Sequence, residues 1–155
     1  MAKKKRWIPF SWIPASWGLT GNTRKIAEAE YYYNGDELDY ALLDIKYEGT
    51  AQHDEMRLRL DYEKEKIGKV EFDKRLATLK KEPYVNVVKM GINDENVTQG
   101  YFELDWNDEF VKMLSEAGIT GTSDEDIVNK WFNGVCRTVL LQEAADLDYG
   151  LQESK

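Results

Sequence analysis

The chain has little of the two residue types that most often build catalytic or metal centres. Among 155 residues there is one cysteine, Cys136, and one histidine, His53. A single cysteine excludes an internal disulfide and a cysteine-rich zinc site, and it fits a reducing, cytoplasmic setting. Because Cys136 lies in an apolar helical pattern and His53 in a polar connection, a Ser-His-Asp or Cys-His site is disfavoured. We therefore expect no metal ion, no cofactor and no catalytic residues.

The sequence also lacks a long apolar run and an excess of positive charge. No stretch is apolar over the roughly 20 residues that a membrane-spanning helix needs. The net charge is −8, and the basic residues 3–6 contribute +4, so the rest of the chain sums to −12. An acidic body repels phosphate backbones, which disfavours general nucleic-acid binding. The same charge suits an acidic inhibitor or DNA mimic that binds a basic partner, and this is one alternative function.

Proline is scarce, but two of the three prolines fall within the first 18 residues, together with three of the five tryptophans. Proline fixes φ and removes a backbone donor, which excludes a regular helix or a central strand. We therefore predict an extended, basic arm with no internal packing partner. Indoles at this density need a surface to bury against. The predicted partner-binding residues are Trp7, Pro9, Phe10, Trp12, Pro14 and Trp17.

Three surfaces can cover such an arm: the chain's own body, a lipid interface or another protein. Lysine and tryptophan suit a lipid interface. However, anionic lipid would repel the acidic body. A protein partner is therefore our preferred interpretation.

Beyond the arm, apolar periodicity and turn signals predict an α+β protein that is mainly helical. Helices are expected over residues 23–33, 36–48 and 54–66, with a fourth ending at Lys81. Residues 84–90 and 101–106 predict a β-hairpin around a polar loop. Two helices follow, one capped at Asn107 or Asp108 and one opened by Thr122 or Ser123, where Thr122 and Glu125 have capping-box spacing.

The last helix carries the strongest core signal in the sequence, because two apolar ridges run along it. The first ridge is Ile127, Trp131, Val135 and Val139, and the second is Val128, Phe132, Cys136 and Leu140. The predicted organisation is an arm over residues 1–18, a helical region over 19–82, a hairpin with two helices over 83–145, and a fraying acidic tail over 146–155.

Residues 20–28, Thr-Gly-Asn-Thr-Arg-Lys-Ile-Ala-Glu, resemble the phosphate loop of flavodoxin-like proteins. That resemblance implies a flavin-binding protein in which Thr20, Asn22 and Thr23 bind phosphate at a helix N-terminus. A flavodoxin fold needs a buried parallel strand just before the loop, where this chain has prolines and indoles. The competing interpretation is a turn in which Asn22 or Thr23 caps a helix.

A second motif is Leu60-x-Tyr62-x4-Ile67-Gly68-x-Val70-x-Phe72-x3-Leu76-x2-Leu79. It resembles the SHOCT segment, a short helical hairpin of many bacterial and phage proteins, which implies association rather than catalysis. On this resemblance Phe72, Leu76 and Leu79 mediate self-association into a homo-oligomer. An ordinary helical hairpin is the alternative.

We therefore expect a non-enzymatic interaction or assembly protein that docks through its Trp-Pro arm. The compact size, the aromatic-rich arm and the SHOCT-like hairpin resemble small phage-encoded proteins. This implies a virion or phage accessory role, in the host cytoplasm or in the particle.

Overall fold

The computed structural model describes the backbone at residue 4 and over residues 6–93 and 96–152, and the side chains at residue 4 and over 6–91 and 102–142. This part of the chain contains six α-helices and one antiparallel sheet of two strands, which confirms the predicted α+β, mainly helical class. The elements are α1 (Gly21–Tyr32), α2 (Gly35–Tyr47), α3 (His53–Glu63), α4 (Lys69–Lys80), β1 (Val85–Asn93), β2 (Asn96–Trp106), α5 (Asp108–Glu116) and α6 (Asp124–Gln152).

The chain divides into two compact units, Met1–Leu79 and Lys80–Lys155. We call them unit 1 and unit 2. The division falls close to Pro83, where the sequence pattern changes from helical to β-branched. Within the described residues, no helix has both the length and the apolar content needed to cross a membrane.

In unit 1, α1 packs against α2, and α2 packs against α3. Among its described residues, only three apolar side chains are buried: Phe10, Ala29 and Leu58. Polar contacts also join these helices. Tyr40 of α2 donates a hydrogen bond to Asp61 of α3. Lys64, which follows α3, pairs with Asp39 and Asp36 of α2, and these two carboxylates raise the pKa of Lys64.

The described part of the N-terminal arm is folded, where an extended segment was expected. Two short 3₁₀ turns, Phe10–Trp12 and Pro14–Ser16, lie in its second half. The prolines permit this because a 3₁₀ turn tolerates a residue without an N–H at or before its first position. Pro9 precedes the first turn and Pro14 begins the second.

In unit 2, β1 and β2 form a hairpin in which Val85 faces Trp106 and Met90 faces Phe102. The predicted loop over residues 91–100 was too long, because β1 continues to Asn93 and β2 begins at Asn96. Residues 94 and 95 lie outside the described part. An irregularity in register falls between Val87 and Lys89.

One buried side chain, Asn107, joins the hairpin to α5. Its Oδ1 accepts hydrogen bonds from Phe110 N at 3.1 Å and from Tyr84 N at 2.9 Å. Its Nδ2 donates to Glu82 O at 2.8 Å. Asn107 is therefore the predicted helix cap. Its hydrogen bonds to Tyr84 and Glu82 also tie the two ends of the hairpin together.

The cap of α6 differs by one residue from the predicted Thr122/Glu125 pair. Ser123 Oγ accepts from Asp126 N at 3.2 Å, and Asp126 Oδ2 accepts from Thr122 N at 2.9 Å. The Thr122 N–H and the Lys130 ammonium lower the pKa of Asp126. The helix runs to Gln152, past residue 146, where the acidic tail was predicted to begin, and residues 153–155 lie outside the described part.

The core of unit 2 lies where α5 packs against the start of α6 and the base of the hairpin. Its buried members are Phe110, Val111, Leu114, Ile127 and Val128. Trp131 packs against this cluster, edge-to-face on Phe110 at 4.9 Å. The predicted double ridge enters the core only in its first turns, because Val135, Val139 and Leu140 are exposed.

Candidate functional site

The C-terminal end of α1 holds the start of the arm. A helix ends with carbonyls that have no partner inside the helix and carry partial negative charge. Lys4 N donates to Tyr32 O at 2.7 Å, Lys4 Nζ lies 3.3 Å from Glu30 O, and Arg6 Nε donates to Tyr31 O at 3.3 Å. The guanidinium of Arg6 also lies 4.7 Å from the centre of the Tyr31 ring. These two basic side chains therefore serve the fold of unit 1. Lys3 and Lys5 lie outside the described residues.

Two tyrosines in the last turn of α1 hold the middle of the arm. Phe10 is 7% exposed, and its ring lies 5.7 Å from that of Tyr31. Phe10 N donates to the Tyr32 hydroxyl at 3.0 Å, and the Tyr31 hydroxyl donates to Ile8 O at 2.7 Å. Phe10, predicted as a partner-binding residue, is thus covered by its own chain. It anchors the arm.

The two 3₁₀ turns of the arm are equivalent. Trp12 N donates to Pro9 O at 3.0 Å, and Trp17 N donates to Pro14 O at 3.2 Å. The sequence explains this, because Trp-Ile-Pro-x-Ser occurs twice in succession, at residues 7–11 and 12–16, and Trp17 follows. This pentapeptide repeat was the signal that the sequence analysis missed. The copies differ at the variable position: Phe10 is buried, whereas Ala15 is exposed.

The three indole side chains of the arm are exposed. Trp7 is 101% exposed, and Trp12 and Trp17 are each 72% exposed. Trp17 Nε1 donates to Ser11 O at 3.0 Å, which satisfies its polar atom and restrains its ring. Ile8 is exposed as well. We call Trp7, Trp12 and Trp17 the indole group. It consists of large apolar side chains carried on a backbone that is already ordered. Pro9 and Pro14 are exposed beside it.

The predicted phosphate-binding residues lie at the start of α1. Thr20 is the N-cap, and Asn22 and Thr23 lie in the first turn. The element before them is a 3₁₀ turn, and the sheet of the described residues is an antiparallel hairpin. The parallel strand that a flavodoxin-like loop requires is therefore missing from the described residues. Neither Asn22 nor Thr23 is the cap, so that detail of the alternative was also wrong.

The SHOCT-like hairpin corresponds to α3 and α4. The rings of Tyr62 and Phe72 stack at 4.6 Å across the turn. Phe72 and Leu76 are half-buried, and Leu79 is 45% exposed. An open groove of about 430 Å³ lies between the two helices, with Leu58 and Leu79 among its lining residues and charged side chains around them. Of the three predicted self-association residues, only Leu79 is largely accessible.

The remaining candidates for a chemical site are the acidic side chains, Cys136 and His53. Within the described residues, no group of three or more histidine, cysteine, aspartate or glutamate side chains is placed to hold a metal ion. Cys136 is half-buried on α6. Both ring nitrogens of His53 are engaged by carboxylates.

No protein-family model, no curated protein and no solved structure matches the chain.

Proposed function

We propose that this chain is a non-enzymatic docking protein whose indole group binds another protein. The observation that carries the proposal is the contrast within the arm: Phe10 is buried against α1, while Trp7, Trp12 and Trp17 are exposed. Large aromatic side chains dominate the binding energy of protein interfaces. An arm that serves only to cover α1 needs the phenylalanine but not the three indoles.

The folded arm also lowers the cost of binding. A disordered arm would lose conformational freedom when it docks, and that loss subtracts from affinity. Here the Pro9 and Pro14 turns and the contacts to Tyr31 and Tyr32 already order the backbone. Burying one large side chain contributes roughly 1.5–3 kcal/mol. Three indoles can thus anchor a micromolar or tighter contact.

The acidic-inhibitor alternative receives less support. Many carboxylates of the described residues pair with the chain's own basic side chains and are not free for a basic groove. Such pairs include Asp44–Arg57, Glu55–Arg59, Glu71–Arg75 and Asp126–Lys130.

An assembly role, in a phage particle or in the cytoplasm of its host, is part of the same proposal. It draws on the single cysteine and the resemblance of α3–α4 to a SHOCT segment. In that role, the exposed Leu79 beside the α3–α4 groove supplies self-association. Sedimentation of Leu79→Glu should then show a folded monomer where the wild type is oligomeric. A monomeric wild type at high concentration would exclude this part.

The docking proposal is tested by affinity capture from a lysate of the native host with a matched set of variants. Replacing the three indoles by alanine should remove a captured protein, since each indole accounts for about a tenfold loss or more. The control replaces Leu140 and Leu141, two exposed leucines of unit 2, by alanine and should retain it. If the wild type, the indole variant and the leucine control capture the same proteins, docking through the indole group is refuted.

A further inference from the structure

His53 begins α3 and lies between two carboxylates. Its Nε2 is 2.9 Å from Asp44 Oδ1 of α2, and its Nδ1 is 3.1 Å from Asp54 Oδ1 of α3. An ionised carboxylate can only accept hydrogen bonds, so both ring nitrogens must donate. Only the imidazolium has two N–H groups. In a neutral ring, one nitrogen would instead turn its lone pair toward a carboxylate oxygen.

Charged groups face His53 from α1, α2 and α3. Lys25 of α1 pairs with Glu48, which directly follows α2, and both line an open cavity of about 460 Å³ together with Asp44 and His53. Arg57 of α3 donates to both oxygens of Asp44, at 2.9 and 3.0 Å. Asp44 therefore receives hydrogen bonds from two side chains of α3.

The balance of these groups favours the charged ring. The positive end of α3 opposes a proton on His53, and so does partial removal from water. The hydrogen bonds to Asp54 and Asp44 outweigh the removal from water and raise the pKa of His53 above its ordinary value of about 6.5. Its titration is thus moved to higher pH.

We propose that His53 is a pH-sensitive link between α2 and α3, which holds Asp44 and Asp54 together as the imidazolium and loosens when it loses a proton. On deprotonation the ring keeps at most one of its two hydrogen bonds and loses its charge attraction. The stabilisation is complete below about pH 6.5, the pKa of the unfolded chain, and is lost as the pH rises through the folded-state pKa.

The chain's single histidine allows a direct test, since its imidazole signals need no separation from others. In an NMR titration of the full chain, both ring nitrogens should be protonated at pH 6, with a midpoint above 6.5. Asp54→Asn, which leaves the Asp44–Arg57 pair intact, should lower the midpoint. Asp73→Asn, which removes a carboxylate of α4, should leave it unchanged. A wild-type midpoint at or below 6.5 would overturn the proposal.

Thermal unfolding between pH 6 and pH 9 supplies the second measurement. The melting temperature of the wild type should fall over this range by more than that of His53→Gln, which cannot titrate. His53→Lys keeps a positive charge and should also show the smaller fall. If the melting temperature falls equally with pH in the wild type and in His53→Gln, the link is refuted. If His53→Gln does not fold, the Asp54→Asn midpoint decides the question.

Discussion

The two units use their tryptophans in opposite ways. In unit 2, Trp106 and Trp131 pack against a continuous cluster of five buried apolar side chains. Among the described residues of unit 1, the buried apolar side chains are Phe10, Ala29 and Leu58 alone, while all three tryptophans are exposed. Burial of apolar surface is the main source of stability. Unit 2 therefore has the stronger apolar core, whereas unit 1 combines polar contacts between helices with an apolar surface for binding.

The largest effect should come from the core of unit 2. Phe110→Ala removes a buried ring that contacts Trp131 at 4.9 Å between centroids, and it should cost about 3–5 kcal/mol of unfolding free energy. Urea denaturation followed by the amide signals of residues in α5 and α6 would measure the loss. A change below about 1 kcal/mol would mean that this cluster is not the core of unit 2.

The next largest loss of stability should come from Asn107 at the base of the hairpin. Asn107→Ala removes a helix cap and two further hydrogen bonds, and it should cost about 2–3 kcal/mol. Amide exchange at Tyr84, whose N–H loses its acceptor, should become faster. Asn107→Asp keeps the acceptor for Phe110 and Tyr84 but loses the donor to Glu82, so it should be the milder variant. Equal costs for both variants would contradict this division of roles.

An intermediate effect is expected at the anchor of the arm. Phe10→Ala should lower the stability of unit 1 by about 1.5–3 kcal/mol, because the buried ring on Tyr31 is lost. It should also speed amide exchange at Trp12 and Trp17, since the arm is released from α1. If neither value changes, the arm is not held by Phe10.

The smallest effect should come from the indole group. Trp7, Trp12 and Trp17 are exposed, so each single alanine variant should change the unfolding free energy by no more than about 0.5 kcal/mol. The melting temperature would report this directly. A large loss in Trp12→Ala would show that this indole packs on its own unit.

Local sequence signals were sufficient for most of the fold. Turn chemistry and periodicity that act within a few residues account for the Asn107 cap, the break between α1 and α2 before Gly35, the end of α5 before Gly118, and the hairpin. Gly118, for instance, has φ of +88°, a left-handed conformation that suits glycine at the end of α5. Such features are visible in sequence because neighbouring residues alone determine them.

The features that were predicted wrongly from sequence depend on contacts between residues that are far apart in the chain. Prolines at residues 9 and 14 exclude a regular helix, but they do not reveal that Phe10 meets Tyr31 and Tyr32 more than 20 residues later. In α6, the apolar ridges continue past the segment that α5 and the hairpin cover. Periodicity gives the apolar face of a helix but not the length over which that face is buried.

The indole signals of the five tryptophans test the central claim most directly. A soluble paramagnetic agent should strongly attenuate the Nε1–H signals of Trp7 and Trp12 and the ring signals of Trp17, but only weakly those of Trp106 and Trp131. In the same sample, nuclear Overhauser contacts should join Phe10 to Tyr31. This combination is the predicted result: an anchored arm with exposed indoles. Loss of the Phe10–Tyr31 contacts, or protection of all five indoles alike, would contradict the account.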